Sequence, residues 1–155
     1  MNKFQLLIRK FWIKVEKPIW SFIINCCFWL VHLNKIGEAR KEMEAIKSLK
    51  LETLMGLLKW TEDNFKDWVQ WPSTLIYNDF KGDCDDAARL AYWWFKQNGV
   101  EAEILNLYSA KEGHAVCITK DRKKMVTNEL ALELNPETWE QDMMSFFHNK
   151  YDTVI

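Results

Sequence analysis

The sequence has no excess of charge of either sign, since 21 Lys and Arg residues stand against 22 Asp and Glu residues for a net charge of −1. A chain without a global basic field gives no reason to expect a nucleic-acid partner. Its four cysteines show no C-x-x-C spacing and no cysteine–histidine pair at zinc-binding distance along the chain. The sequence also has no internal repeat, Gly-rich phosphate loop or low-complexity linker. No cofactor and no metal are therefore expected.

The four cysteines indicate free thiols in a reducing compartment. Cys26 and Cys27 are adjacent and cannot easily bridge each other, which leaves Cys84 and Cys117 in the second half of the chain. A length of 155 residues predicts one domain, and 48% hydrophobic residues with nine tryptophans are enough for a good core.

The N-terminus is basic and apolar. Residues 3 to 17 form an amphipathic pattern, and Pro18 is expected to break that helix. Residues 19 to 33 are then an almost continuous apolar run, 15 residues long and short of the ~20 that span a bilayer. No small-x-small cleavage site follows the run. The basic residues of the amphipathic pattern are Lys3, Arg9, Lys10, Lys14 and Lys17.

Three interpretations of this N-terminus stay open. It is a pair of helices packed on the rest of the chain or on a partner protein, a membrane-surface or signal-anchor segment, or a cleaved signal. Gly37 and the charged residues after it mark a boundary, so we divide the chain into an N-terminal helical segment, 1–37, and a domain, 38–155.

The segment from Gly82 to Asp86, Gly-Asp-Cys-Asp-Asp, predicts a helix start. Asp83 suits the N-cap and Asp86 lies at the third helical position, which is the spacing of a capping box. Cys84 then occupies the first helical position, where the helix dipole and unpaired N–H groups favour a thiolate. The two flanking carboxylates oppose that thiolate, so it needs a cation nearby, and His114 is the obvious candidate.

A change of period after Gly99 predicts strands. His114 begins one of them, and the segment from Lys124 to Leu130 is expected to form the next. A tight hairpin between the two would place position 128 to 130 opposite His114. Because side chains alternate between the faces of a strand, only one of Asn128 and Glu129 can share the face of His114. We expect Asn128 to do so and to orient the imidazole.

These motifs resemble the transglutaminase-like cysteine peptidase superfamily, and within it the small bacterial and phage members. The likeness rests on Gly-Asp-Cys-Asp-Asp-Ala-Ala from Gly82, on Gly-His-Ala-Val from Gly113, on a polar residue in the following strand, and on Trp71-Pro72 upstream. It covers roughly positions 68 to 130. By position it implies Cys84 as nucleophile and His114 as base, with Asn128 where the family usually has an aspartate.

The resemblance implies an α+β fold with a papain- or transglutaminase-like core, in which the nucleophile helix packs on a small antiparallel sheet beside an N-terminal helical extension. It implies a thiol hydrolase, a peptidase or amidase acting on a protein or peptide substrate through a Cys-His-Asn triad. The expected location is cytoplasmic or virion-associated, with a membrane anchor kept open. The alternative is a non-catalytic interaction protein that keeps this fold and docks on a larger assembly or membrane through its N-terminal helices.

Overall fold

The computed structural model describes residues 3–61, 69–109, 112–128, 130–148, 150–151 and 153–155. Its helices are α1 (Lys3–Phe11), a π-helical stretch (Trp12–Glu16), α2 (Lys17–Val31), a 3-10 turn (Leu33–Lys35), α3 (Ile36–Lys47), α4 (Leu51–Met55), α5 (Pro72–Tyr77), α6 (Cys84–Gln97) and α7 (Trp139–Phe146). Its strands are β1 (Lys59–Trp60), β2 (Lys81–Gly82), β3 (Ala102–Tyr108), β4 (Gly113–Thr119), β5 (Lys124–Thr127), β6 (Leu130–Glu133) and β7 (Thr153–Val154).

The expected mixture of helices with a small antiparallel sheet is confirmed. Five strands form one antiparallel sheet in the order β6-β5-β4-β3-β7, which places β4 at its centre. The short strands β1 and β2 pair in parallel just before the Cys84 helix. Gly37, at the expected boundary, lies in the first turn of α3.

The sheet separates two hydrophobic cores. Ala115 and Cys117 of β4 face α6 and pack with its buried alanines. Val116, between them in the sequence, lies on the other face with Met143 of α7. This alternation follows from the two-residue period of a strand. The residues of β4 therefore divide between the α6 side and the α7 side of the sheet, and this division decides where its polar residues point.

Pro18 does not end the N-terminal helix as expected. The backbone stays helical at Phe11 and Glu16, and the N–H of Lys17 bonds to the carbonyl of Trp12, five residues back. Proline lacks an N–H and its ring clashes with the carbonyl four residues earlier. The wider π-helical turn immediately before Pro18 accommodates both effects, so the helical path continues from α1 into α2.

The N-terminal helix packs on the rest of the chain through its polar residues. Ser21 and Asn25 are buried, and Asn25 Nδ2 donates to the carbonyl of Val69 at 2.9 Å. Its Oδ1 accepts from the N–H of Trp71 at 2.8 Å and from the hydroxyl of Thr74 at 2.7 Å. Within the described ranges, no single helix is long and apolar enough to cross a membrane; one pair, Trp12–Val31 with Leu33–Lys47, passes by length and composition but is bent by 84°.

Candidate functional site

The predicted capping box at the start of α6 is confirmed. The Asp83 side chain accepts hydrogen bonds from the N–H groups of Asp85 and Asp86, and Asp86 reaches back to the N–H of Asp83. The cap engages the second and third helical N–H groups but not that of Cys84, which is first. The thiol is therefore held at a defined helix terminus, and the backbone N–H of Cys84 does not bond to the Asp83 cap.

A buried hydrogen-bond network supports this helix start from below. Asp86 is fully buried and accepts from the backbone N–H of Gln70 at 2.7 Å and from its side-chain Nε2 at 2.8 Å. Burial raises the pKa of Asp86 to about 7, against the effect of these donors. Gln70 Nε2 also donates to the carbonyl of Lys81 at 2.8 Å. Gln70 thus joins the Asp86 carboxyl group to the backbone just before the motif.

The Cys84 thiol is mostly buried and stays protonated at neutral pH. Burial raises its pKa to about 12, and the charges of Asp85 and Asp83 add to this effect. The backbone N–H of Ala115 and the charge of Lys17 act in the opposite direction. The helix dipole favours a thiolate, but desolvation and the two carboxylates have a larger effect on the thiol pKa. The helix start alone therefore does not provide the thiolate.

His114 lies at the start of β4 among aromatic rings. Its ring centroid is 5.1 Å from that of Phe147 and 6.0 Å from that of Tyr151, with the latter pair stacked. Burial lowers the pKa of His114 to about 4, and the charge of Lys150 acts in the same direction. The imidazole is consequently neutral at pH 7, which is the form that accepts a proton.

Cys84 and His114 line the same cavity, which has a volume of about 340 Å³. Side chains of the sheet and of the N-terminal helix complete its wall; they include Trp12, Lys17, Asn106, Tyr108 and Glu112. The lining carries a positive charge from Lys17 and negative charges from Asp85 and Glu112, together with apolar side chains. A molecule bound in this cavity would meet hydrogen-bonding groups on several sides.

The two candidate catalytic side chains approach this cavity from different faces of β4. Cys84 packs with the α6 core, which includes Ala115, whereas the His114 ring lies with Phe147 and Tyr151 on the α7 side. The hydrogen bonds of the described residues do not include one between Cys84 and His114. The structure brings the pair to one cavity without joining thiol to imidazole.

The hydrogen bond expected between His114 and Asn128 is not formed. Strand β5 ends at Thr127 and pairs there with Leu130, so Asn128 lies in a tight turn with a φ of 46° instead of on the strand. Its buried Oδ1 has no hydrogen-bond partner. Glu129, the alternative, falls outside the described residues.

Thr127 takes the position expected for the third residue. His114 Nε2 lies 2.7 Å from Thr127 Oγ1, a short hydrogen bond between two partly buried groups. The register pairs Cys117 with Val126, and both side chains lie on the α6 side of the sheet. His114 is three residues from Cys117 and Thr127 is one residue from Val126, so both lie on the opposite face. A hairpin register shifted by one residue from the expected one would have pointed to Thr127 from the sequence.

The N-terminal helix also contributes to this site, which its sequence pattern did not indicate. Lys17 forms an ion pair with Asp85, the residue after Cys84, and both side chains are almost buried. Trp12 lines the same cavity. Trp12 and Lys17 are five positions apart and are joined by the hydrogen bond of the π-helical turn, so that both side chains reach the cavity from one helix.

Three possible metal-ligand atoms come together at the motif. One from each of Asp83, Cys84 and Asp85 lie within 4.8 Å of one another. Asp83 uses its carboxylate to cap α6, and Asp85 pairs with Lys17. The two carboxylates are engaged in holding the helix start and the N-terminal helix together.

Comparison with known proteins gives no match to any protein-family model, to any curated protein or to any solved structure.

Proposed function

We propose that this chain is a transglutaminase-like cysteine enzyme that transfers an acyl group from an amide, most simply as a peptidase or amidase. The observation that carries the proposal is the cavity shared by Cys84, the first residue of a capped helix, and His114, the first side chain of the central strand. This chemistry is implied by the resemblance of two motifs to the transglutaminase-like family. The motifs are the start of α6 and the sequence Gly113-His114.

In the proposed reaction, His114 accepts the proton of the Cys84 thiol while the sulfur attacks the amide carbonyl carbon. The carbon–nitrogen bond then breaks, and the amine leaves with the proton from the imidazolium. The remaining thioester is cleaved by water, whose proton passes through His114 to the leaving sulfur as the acid is released. An amine in place of water gives a new amide.

The protonation states support general-base activation over a preformed ion pair. With the Cys84 pKa at about 12 and the His114 pKa at about 4, thiol and imidazole are both neutral at pH 7. A neutral imidazole is competent to remove the thiol proton as the sulfur attacks. The Cys84 N–H, which the Asp83 cap leaves aside, supplies one donor to the developing oxyanion.

The proposed base is oriented by Thr127 in the role that the sequence gave to Asn128. If Nε2–H of His114 donates to the threonine hydroxyl, Nδ1 keeps the lone pair that accepts the thiol proton. Substrate binding must then bring the imidazole and the sulfur together, since the two groups are not hydrogen-bonded at rest.

The proposal is tested by turnover of a peptide-amide panel with the wild type, Cys84→Ala, His114→Ala and the control Cys117→Ala. We expect the first two variants to lose activity by at least about a thousandfold, because the nucleophile or its base is gone. Cys117→Ala keeps activity, since that buried thiol faces the α6 core. Full turnover by Cys84→Ala would eliminate the cysteine mechanism.

The second candidate function is that of a non-catalytic interaction protein. It is favoured by the high thiol pKa and by the absence of a Cys84–His114 hydrogen bond within the described residues. Alkylation followed by peptide mass spectrometry separates the two, with exposed Cys27 as an internal reference. Two results together support the interaction protein. No member of the peptide-amide panel is turned over, and Cys84 is alkylated more slowly than Cys27 whichever member is present.

A further inference from the structure

The N-terminal helix has its polarity inverted relative to an ordinary surface helix. Its polar residues Ser21 and Asn25 are buried against residues 69–74, while many of its large apolar side chains are exposed, although Trp12 and Trp29 face the rest of the chain. A helix that packs on a water-soluble core normally does the reverse. From residue 7 to residue 22 the outward side chains recur every three or four residues, and one more lies about two turns further along the helix. They are Leu7, Phe11, Val15, Ile19, Phe22 and Leu30, and we call these six the outer stripe.

Side chains of the outer stripe are between 41% and 67% exposed. The stripe runs along one helical path from α1 through the π-helical turn into α2, a length of roughly 35 Å at the rise of an α-helix. Isolated exposed hydrophobics are normal on a protein surface, but a continuous stripe marks a surface that meets another apolar phase. Within the described residues, Phe22 touches the ring of Trp71, and every side chain of the outer stripe keeps at least 41% of its surface exposed.

The charge of this segment identifies the partner. Residues 1–36 carry six basic residues and one acidic residue, a net charge of +5, which leaves −6 for residues 37–155 to give the total of −1. Lys10 and Lys14 are exposed, and each immediately precedes a member of the outer stripe, so basic groups border the apolar surface. Apolar side chains flanked by lysines suit the interface of an anionic lipid bilayer.

We propose that the outer stripe docks on an anionic membrane surface, with the helix from α1 to α2 lying in the plane of the bilayer interface. The apolar side chains enter the acyl boundary, and the bordering lysines contact anionic headgroups. A second copy of the chain fits this surface less well, because pairing two such faces would bring together two segments of charge +5. The inner face, which holds Lys17 and Asn25, stays in contact with the rest of the protein.

The test is flotation of the full chain with vesicles of phosphatidylcholine alone and with about 30% phosphatidylserine added. We expect binding to the anionic vesicles that weakens in about 0.5 M NaCl, because salt screens the lysine–headgroup attraction. Phe11→Glu should abolish binding. The matched control is Leu130→Glu, which replaces a similarly exposed apolar residue of strand β6. This variant should bind as the wild type does.

The contribution of charge is tested by replacing Lys10 and Lys14 together with glutamine. At the strength expected for a lysine near an anionic surface, the pair should weaken binding by roughly tenfold to thirtyfold. The double control Lys41→Gln with Lys96→Gln, two exposed lysines on α3 and α6, should leave binding unchanged. Circular dichroism melting of each variant establishes that it is folded.

Three results would overturn the proposal. One is a folded wild type that floats with neither vesicle. Another is an equal loss of binding in Phe11→Glu and Leu130→Glu. The third is a concentration-dependent dimer, seen by light scattering, that Phe11→Glu dissociates while vesicles fail to bind, since the stripe is then covered by a second copy. Turnover at Cys84 is not measured in any of these assays, so their outcome is independent of the proposed enzyme.

Discussion

His114 Nε2 and Thr127 Oγ1 lie 2.7 Å apart on the α7 face of the sheet, and this hydrogen bond holds one edge of the imidazole. The neighbouring Asn128 is in a turn and makes no side-chain hydrogen bond through its Oδ1. The two residues differ by one position along the chain, yet only the threonine is on the face that holds the histidine.

Thr127→Val is therefore expected to lower kcat by roughly tenfold to a hundredfold, because the imidazole loses the group that orients it. Thr127→Ser should restore most of the activity, since it keeps the hydroxyl. Asn128→Gly is the matched control: glycine adopts the positive φ of this turn, so activity should change little. Equal losses in Thr127→Val and Asn128→Gly would show that the turn as a whole, and not the hydroxyl, supports the site.

Asp85→Asn is expected to increase the reactivity of Cys84. The charge of Asp85 raises the pKa of the neighbouring thiol, and its removal lowers that pKa, so the thiolate fraction at neutral pH grows. Alkylation by iodoacetamide, followed at Cys84 by mass spectrometry, should accelerate about threefold to tenfold. Asp121→Asn, at an exposed site in the turn between β4 and β5, should not change the rate of Cys84 alkylation. A slower reaction in Asp85→Asn would mean that releasing Lys17 buries the thiol further.

Gly82→Ala is expected to destabilise the protein by about 2 kcal/mol or more. A Cβ at this position would lie 2.5 Å from Asp86 Oδ2 and 2.9 Å from Leu75 Cδ1, and both side chains are fully buried. Gly37→Ala is the control, because a Cβ there meets nothing within 4 Å and alanine favours the helix. Urea denaturation measures both variants. A Gly82→Ala protein as stable as the wild type would show that the Asp86 network shifts easily.

His114 should make the stability of the protein depend on pH. Its pKa falls from 6.5 to about 4 on folding, so the unfolded chain takes up the proton first as the solution is acidified. Stability is thus fully present above pH 6.5 and is lost as the pH falls toward 4, by at most roughly 3 kcal/mol. Asp86 has the opposite sign, because its raised pKa favours folding at low pH.

The His114 contribution is isolated by comparing the wild type with His114→Gln, in which Asp86 is unchanged and glutamine can still bond to Thr127. Free energies of unfolding measured between pH 4 and 7 should converge for the two proteins as the pH falls, since only the wild type carries this histidine. Parallel curves would show that His114 titrates alike in the folded and unfolded chain.

The start of α6 was predictable from the sequence because its determinants are local. The capping box of Asp83 and Asp86 lies within four residues, and Gly99, with a φ of 73°, follows the end of the helix as its position in the sequence indicates. The mixture of helices and antiparallel strands likewise follows from hydrophobic periodicity. These features depend on backbone hydrogen bonds and side chains a few residues apart.

Features that join distant segments were decided only by tertiary structure. Thr127 replaces Asn128 beside His114 because β5 ends at Thr127 and not at Leu130, and because its register with β4 puts Thr127 on the face of the histidine. The ion pair of Lys17 with Asp85 joins residues 68 positions apart and depends on a π-helical turn that the sequence pattern did not reveal. The sequence determined the chemical groups and the local helix that carries Cys84, whereas packing determined their neighbours, since the proximity of remote side chains depends on how whole elements pack against one another.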